Sequence, residues 1–218
     1  MFQEAILFLN GKVDLEFCEN HISNNHADLP IICADGSFNK IQESKGLYSK
    51  LKKVIGDFDS TAYLDDERFE IDHNEYTTDF EKCLDYLIKN RFEKVFVFGA
   101  SEGEMDHFIG NVSTALGYDK KIAVEFIDKY SRYFFIPNDF SIDHVKDKMF
   151  SVMPFGIAED IHYNGLKYPL NGQNMALGAM LGTRNYATED TVEISYARGS
   201  ILLFISHNNY KDRVNEIL

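Results

Sequence analysis

The sequence has 218 residues, a formal net charge of −13, and 44% hydrophobic and 26% charged residues. This composition is enough for a packed core in one large domain or two small ones, and it argues against global disorder. The chain lacks the basic face that neutralises phosphates along a duplex, so we expect no nucleic-acid partner.

The cysteines and the first residues bear on the compartment. Cys18, Cys33 and Cys83 are scattered and odd in number, without a CxxC pair, so we expect reduced thiols in a cytoplasmic protein. The opening segment "MFQEAILFLNGK" has no basic stretch and only a short apolar run. We predict a first strand there, not a signal peptide. No apolar run approaches the ~20 residues of a membrane span, and we expect no membrane association.

Short apolar runs alternate with helical patterns through the first two-thirds of the chain. The runs are "AILFL", "LPIICAD", "KKVIGD", "EKVFVFGA" and "IAVEFID". This alternation predicts an α/β fold, with a mostly parallel, Rossmann-like sheet flanked by helices. The clearest helix begins at Thr78, which has capping-box spacing to Glu81. A second helix is predicted from about Met105, with an apolar stripe of Phe108, Ile109, Val112, Ala115 and Leu116.

Beyond Pro137 the helical periodicity fades and hairpin signals appear. "IHYNGLKYPL" contains Asn164-Gly165, which predicts a type I′ turn. "TVEISYARGSILLFIS" predicts two strands around Arg198-Gly199. We therefore predict an α/β domain over residues 1–137 and an antiparallel β domain over residues 138–218.

Aspartates follow several of the predicted strands. Asp35 ends "IICAD", Asp57 and Asp59 end "KKVIGDFD", and Asp106 follows "VFVFGASEGEM". Ligands of open α/β sheets bind outside the carboxyl ends of the strands, and helix N-termini attract phosphate. Carboxylates repel phosphates unless a cation bridges them, and Mg²⁺ takes one or two carboxylates together with phosphate oxygens. A single aspartate after a strand is more often a turn or helix-cap residue than a functional one. Asp57 and Asp59 are less easily explained in this way, because the chain does not need two caps so close together.

Five segments, in order and in rough spacing, resemble the thiamine pyrophosphokinase (thiamine diphosphokinase) family. They are "CADGSFN", "IGDFDS", "TTDFEKCL", "GASEGEMDHFIGN" and "GLKYPL". The later "GTRNY" is similar to that family's Gly-(Thr/Val)-Ser-Asn segment. The resemblance implies an N-terminal α/β nucleotide-binding domain, a C-terminal β-sandwich that binds thiamine, and a homodimer with the substrate site between subunits.

The reaction implied by this resemblance converts ATP and thiamine into AMP and thiamine diphosphate, with Mg²⁺ required. Matched by motif position, the implied catalytic residues are Asp57, Asp59, Asp79 and Asp106, of which the first three would hold the metal. The implied nucleotide-binding residues are Asp35, Gly36, Asn39, Lys82, His107 and Asn111. The implied thiamine-binding residues are Tyr168, Thr183, Arg184 and Asn185.

The sequence also departs from the family pattern. Ser37 replaces the second glycine of "ADGG", and Tyr76 stands where the family usually has aspartate. Residues 103–105, Gly-Glu-Met, replace "GGR", so a phosphate-binding arginine is missing. Arg184 occupies the place of a thiamine-contacting serine, and either Arg184 or Arg132 could supply the lost positive charge.

Two alternative functions belong to other classes. "DFDST" fits the D-x-D-x-T pattern of haloacid-dehalogenase-like phosphatases, in which the first aspartate is phosphorylated. That motif closes the first strand of its fold, whereas at least two predicted strands precede it here. The second alternative is a thiamine- or nucleotide-binding homologue that has lost catalysis. The presence of all four motif aspartates argues against it.

Overall fold

The computed structural model describes residues 3–58, 66–210 and 212. The chain divides into two compact units, residues 1–129 and 130–218. The boundary predicted after Pro137 therefore differs from this division by one strand, Ser131–Ile136, which pairs with the last strand of the second unit.

A parallel sheet forms the centre of the first unit. Its strands are β1 (Glu4–Phe8), β2 (Ile31–Ala34), β3 (Leu51–Gly56), β4 (Phe69–Ile71), β5 (Lys94–Phe98) and β6 (Ala123–Ile127). They lie in the order β4-β3-β2-β1-β5-β6, and each neighbouring pair is parallel. The strand order reverses between β1 and β5, which is the kind of position where open α/β sheets bind ligands. The predicted parallel sheet is confirmed.

Helices connect these strands. They are α1 (Leu15–Asn25), α2 (Asp35–Glu43), α3 (Lys45–Ser49), α4 (Asp79–Lys89) and α5 (Met105–Tyr118). The predicted capping box at Thr78 is confirmed, because Thr78 N donates to Glu81 Oε2 at 2.8 Å and Glu81 N donates to Thr78 Oγ1 at 3.2 Å. The start of α5 at Met105 is confirmed as well. With 14 residues, α5 is the longest described helix, and none of the described helices is long and apolar enough to cross a bilayer.

The stripe predicted for α5 is only partly correct. Val112 and Ala115 are buried, but Ile109 is 58% exposed. The strands of this unit show a simpler pattern, since β2 and the last four residues of β1 and β5 are buried throughout. Continuous burial of this kind is expected for parallel strands that are covered on both faces.

The second unit is antiparallel. Its strands are β7 (Ser131–Ile136), β8 (Asp139–Ile142), β9 (Lys148–Asn164), β10 (Leu170–Ala176), β11 (Gly182–Tyr186), β12 (Val192–Ser195) and β13 (Arg198–Asn209). The 17-residue β9 organises the unit, because it pairs with β10, β11, β12 and β13. The antiparallel prediction is confirmed.

The turn type predicted between β9 and β10 is wrong. A type I′ turn requires positive φ at both central residues. Of Asn164 and Gly165, both of which the structure describes, Gly165 alone has a positive φ, at 79°. Its position is tightly packed, since a Cβ there would lie 2.2 Å from the carbonyl oxygen of Thr191. The conformation between β9 and β10 therefore depends on packing against the segment before β12. The residues around Asn164 and Gly165 carry no information about that contact.

Candidate active site

Two of the predicted catalytic aspartates meet at one lysine. Asp57 follows β3 at the carboxyl edge of the sheet, and Asp79 is the first residue of α4, which packs against β3 and β2. Lys82 Nζ lies 3.0 Å from Asp79 Oδ1 and 3.6 Å from Asp57 Oδ2. Asp59, the remaining member of the motif after β3, lies outside the described residues.

Lys82 is a buried cation. Its side chain is 2% exposed, whereas those of Asp57 and Asp79 are 36% and 38% exposed. Burial acts to lower the pKa of Lys82, but the carboxylates of Asp79 and Asp57 outweigh burial and leave the pKa above its ordinary value. Lys82 is therefore charged at neutral pH and partly neutralises the two aspartates.

Asp35 lies behind this pair, with its carboxylate directed into the protein. The residue is 1% exposed, and it accepts hydrogen bonds from Gly36 N and, at 2.7 Å, from Phe58 N. Burial raises the pKa of Asp35 and the charge of Asp79 raises it further, while the two amides act in the opposite direction. Asp35 thus joins the start of α2 to the turn that carries Asp57.

The segments that follow β1, β2 and β5 are packed closely against one another. Lys40 Nζ donates to Asn10 O at 2.6 Å, to Asn10 Oδ1 at 3.0 Å and to Gly11 O at 3.0 Å. Gly11 N donates to Gly99 O at 2.9 Å. A Cβ on Gly36 would lie 2.4 Å from Asn10 Nδ2, which explains the glycine of the "ADG" segment. Lys40 and Asn10 were not among the predicted site residues, although an Asn-Gly pair directly after a predicted strand could have indicated a turn at this edge.

Three further predicted residues lie on α5. Asp106 and His107 are exposed in its first turn, where Asp106 Oδ1 accepts from His107 N at 3.0 Å. Asn111 Nδ2 donates to Ala100 O at 3.1 Å and so attaches α5 to the loop after β5. In the strand order, β5 is three positions from β3, or roughly 14 Å at the usual strand spacing. Asp106 therefore occupies a different point on the edge that carries Asp57.

The residue types suit a magnesium ion that binds together with a substrate. Within the described ranges no three histidine, cysteine or acidic side chains come together as a ready metal cage. Asp57 and Asp79 nevertheless both lie near the ammonium group of Lys82, and Asp59 is close to Asp57 in sequence. Mg²⁺ usually binds through one or two carboxylates and completes its shell with phosphate oxygens and water. The described carboxylates fit that pattern.

In the second unit, the predicted thiamine-binding residues differ in exposure. Tyr168 is 64% exposed, and Thr183 and Arg184 on β11 are exposed too, with Arg184 at a φ of 55°. Asn185 is 4% exposed, and its Nδ2 donates to Tyr168 O at 2.8 Å. Its Oδ1 accepts from the backbone N of Tyr168 and of Tyr186, both at 3.0 Å. Asn185 therefore fixes the backbone beneath the exposed Tyr168.

Two family models match the chain in consecutive segments. The model described as thiamin pyrophosphokinase, catalytic domain, matches residues 21–126, and the one described as thiamin pyrophosphokinase, vitamin B1 binding domain, matches residues 138–201. The chain belongs to the thiamine pyrophosphokinase family. It contains both domains that characterise this enzyme family, and each match falls within one of the two units.

Individual relatives agree with this assignment. Thiamine pyrophosphokinase of Bacillus subtilis (strain 168) is 29% identical over 168 residues, which are 71% of this chain and 78% of that protein. Thiamine pyrophosphokinase 1 of Oryza sativa subsp. japonica is 23% identical over 196 residues, with 75% and 74% covered.

Solved structures support the fold. The crystal structure of thiamine pyrophosphokinase from Bacillus subtilis has a TM-score of 0.79 at 20% identity and covers 94% of this chain and 99% of its own. That of thiamin pyrophosphokinase from Candida albicans has a TM-score of 0.77 at 16% identity, with 95% and 90% covered. Family membership and the position of Asp57 after the third strand both argue against the phosphatase alternative.

Proposed function

We propose that this member of the thiamine pyrophosphokinase family transfers the terminal pyrophosphate of ATP to the primary hydroxyl of thiamine. The products are thiamine diphosphate and AMP, and Mg²⁺ is required. The observation that carries the proposal is the convergence of Asp57 and Asp79 on the buried Lys82 at the carboxyl edge of the sheet. An acidic pair with an internal cation, beside the N-terminus of α4, suits a metal-bound polyphosphate.

The reaction is a single in-line displacement. The thiamine hydroxyl oxygen bonds to the β-phosphorus as the bond from that phosphorus to the bridging oxygen of AMP breaks, and either Asp79 or Asp106 accepts the hydroxyl proton. Asp57, Asp59 and Asp79 would hold Mg²⁺, which when bound offsets negative charge on the transferred group. Little covalent chemistry is left to the protein, whose main contribution is positioning and charge neutralisation. Lys82 contributes by fixing the two carboxylates relative to each other.

We assign the nucleotide to the loops of the first unit and thiamine to the second. Gly36, Asn39, His107 and Asn111 lie on α2 and α5, which begin at the carboxyl edge of the sheet. Tyr168, Thr183 and Arg184 offer exposed aromatic and polar groups for the two rings of thiamine. Asn185 holds the backbone of that segment. The proposed assembly is a cytoplasmic homodimer in which the subunits share the substrate site.

A second candidate function is binding without catalysis. Met105, which is 63% exposed at the start of α5, stands where the family's phosphate-binding arginine is expected. A positive charge missing from that place would weaken stabilisation of the transferred group. Thiamine and nucleotide binding could persist in such a protein without turnover.

The deciding experiment measures AMP release from ATP with Mg²⁺, in the presence and absence of thiamine. Thiamine-dependent AMP that disappears with a chelator supports the proposal. Binding of thiamine or Mg·ATP without AMP release supports the non-catalytic alternative. Phosphate release from a small phosphoester would instead indicate a phosphatase.

A further inference from the structure

We infer that Asp35 is a positioning residue, which holds the turn after β3 so that Asp57 faces Lys82, and that it does not itself touch the nucleotide. Residues 56–58 form the β3 turn. The catalytic consequence of this inference rests on the proposed function, but the structural part does not.

The contacts of Asp35 account for both of its carboxylate oxygens. Oδ1 accepts from Gly36 N at the start of α2, and Oδ2 accepts from Phe58 N in the β3 turn at 2.7 Å. The residue is 1% exposed. Because the carboxylate is buried, a nucleotide could reach it only if the residues that cover it moved. Such a movement would disturb two hydrogen bonds to a charged acceptor, which are roughly twice as strong as neutral ones.

The β3 turn is shaped around this carboxylate. A Cβ on Gly56 would lie 2.4 Å from Asp35 Cγ, so only glycine leaves room for Asp35 at its present position. Phe58 has a φ of 63°, a left-handed conformation that is strained for a bulky residue. Such a conformation persists when the surroundings impose it. Two contacts hold Phe58 in this conformation. Its backbone amide donates a hydrogen bond to Asp35, and its ring contacts that of Phe69 at 5.4 Å between centroids.

The position of Asp57 depends on this turn. Both neighbours of Asp57 in the chain are linked to Asp35. Asp35 approaches Gly56 too closely for a Cβ there, and the Phe58 amide donates a hydrogen bond to the Asp35 carboxylate. Its Oδ2 lies 3.6 Å from Lys82 Nζ. Asp35 also carries a negative charge near Asp79 and Asp57, which is unfavourable for a buried carboxylate. An asparagine offers one acceptor oxygen, whereas the carboxylate of Asp35 serves two amides with two oxygens, one amide in α2 and one in the β3 turn.

The test measures amide hydrogen exchange by NMR in the ligand-free protein. Variants Asp35→Asn, Asp35→Ala and Gly56→Ala are compared with wild type, and Asp14→Asn is the matched control. Asp14 is an exposed cap of α1 whose Oδ1 accepts from Phe17 N, and asparagine caps a helix equally well. The amide of Glu81, which bonds to Thr78 Oγ1, serves as an internal reference in α4.

We expect exchange at Phe58 to rise by roughly tenfold or more in Asp35→Ala, the scale of losing a hydrogen bond to a charged group. Asp35→Asn, which keeps one acceptor, should be intermediate. Gly56→Ala should resemble Asp35→Ala, because its new methyl group displaces the carboxylate. Exchange at Glu81 should stay unchanged in all of them. Phe58 protection at the wild-type level in both Asp35→Ala and Gly56→Ala would overturn the inference.

Kinetics then separate positioning from direct contact. With saturating substrates, Asp35→Asn should lower kcat by about tenfold or more and raise the Mg²⁺ concentration needed for half-maximal rate, with the KM for ATP within about twofold of wild type. A raised KM for ATP with unchanged kcat would mean that Asp35 binds the nucleotide, and would overturn the inference. If wild type releases no thiamine-dependent AMP while exchange at Phe58 still depends on Asp35, the proposed function fails and the positioning role stands.

Discussion

The two units differ in the polar residues that they bury: the first buries charged residues, among them Asp35 and Lys82, whereas the described part of the second buries the uncharged Asn185 and Ser206. In the first unit, Asp35 and Lys82 are almost completely buried and are engaged by backbone amides or by carboxylates. In the second, the large core cluster is apolar, and two of the polar residues predicted to bind substrate, Thr183 and Arg184, are exposed on β11. The contrast suits their proposed tasks. A polyphosphate site needs charges held in place before the ligand arrives, whereas a surface for aromatic rings needs accessible side chains.

The same contrast appears in the backbone. Loops of the first unit that carry the site contact one another directly, as between Gly11 and Gly99. In the second unit the buried side chain of Asn185 also joins two segments, through hydrogen bonds to the backbone of residues 168 and 186. The charged site therefore depends on contacts between several loops, while in the candidate thiamine surface Asn185 reinforces a backbone contact from Lys167 N to Tyr186 O at 2.9 Å.

The largest expected effect tests whether the carboxylates of the first unit are the catalytic ones. Asp57→Asn should reduce turnover by on the order of a hundredfold or more, the scale of losing a main electrostatic stabiliser. Glu193→Gln on β12, an exposed carboxylate of the second unit, is the matched control and should retain wild-type turnover. The assay is AMP release with thiamine and Mg²⁺. Equal turnover in both variants would remove Asp57 from the metal site.

The next effect tests the buried cation. Lys82→Met should lower the free energy of unfolding by about 2.5 kcal/mol, the scale of losing a hydrogen bond between charged groups, because Asp79 loses its donor while both carboxylates stay partly exposed to water. Lys53→Met is the control, since Lys53 and Glu70 are 25% and 41% exposed and such surface pairs contribute about 0–1 kcal/mol. Urea titrations of both variants make the comparison. Equal losses would show that burial of Lys82 does not matter.

The direction of the Lys82 pKa shift gives the sign of its pH dependence. The folded-state pKa is raised above the ordinary 10.5, so the stabilisation is complete below pH 10.5 and is lost as pH rises through the folded value. Between pH 7 and 9 the stability difference between wild type and Lys82→Met should therefore be constant. A difference that changed within that range would contradict this assignment.

A smaller effect is expected at the single buried amide beneath Tyr168. Asn185→Ala should lower the free energy of unfolding by about 2 kcal/mol, because the backbone groups of Tyr168 and Tyr186 lose their partner. Thr183→Ala, an exposed neighbour on β11, should change it by less than about 0.5 kcal/mol. The KM for thiamine should also rise in Asn185→Ala. An unchanged unfolding midpoint would mean that Tyr168 is held in another way.

The smallest expected effect is that the cysteines of the folded protein do not react with a thiol reagent. Because all of them lie in the first unit, their labelling can follow that unit separately. Burial raises the pKa of Cys18 and of Cys33 to about 12 and that of Cys83 well above its ordinary value. Since the thiolate is the reactive form, a disulfide reagent at pH 8 should label none of them in the folded protein and all three in urea. All three belong to the first unit, so labelling during a urea titration reports its unfolding alone. Rapid labelling of a folded thiol would contradict the burial.

Much of the first unit was predictable because its signals are local. The capping box joins Thr78 to Glu81, three residues away, and the buried strands are continuous apolar runs. The position of Asp57 after a strand also follows from adjacent residues. Exposure of Ile109 was not predictable, since helical periodicity identifies an apolar face but not what covers it. The turn type predicted at Gly165 was wrong for a related reason, because the segment around Thr191, distant in sequence, packs on that residue.

By itself, the sequence determined the alternation of strands and helices, the helix start at Thr78 and the family motifs, because each depends on residues close together in the chain. Tertiary structure alone decided that Lys82 is a buried cation between two aspartates and that Asp35 faces inward to the β3 turn. These features depend on β3, α2 and α4 meeting at one edge of the sheet. Burial and electrostatic environment are properties of that meeting, and local residue patterns do not contain them.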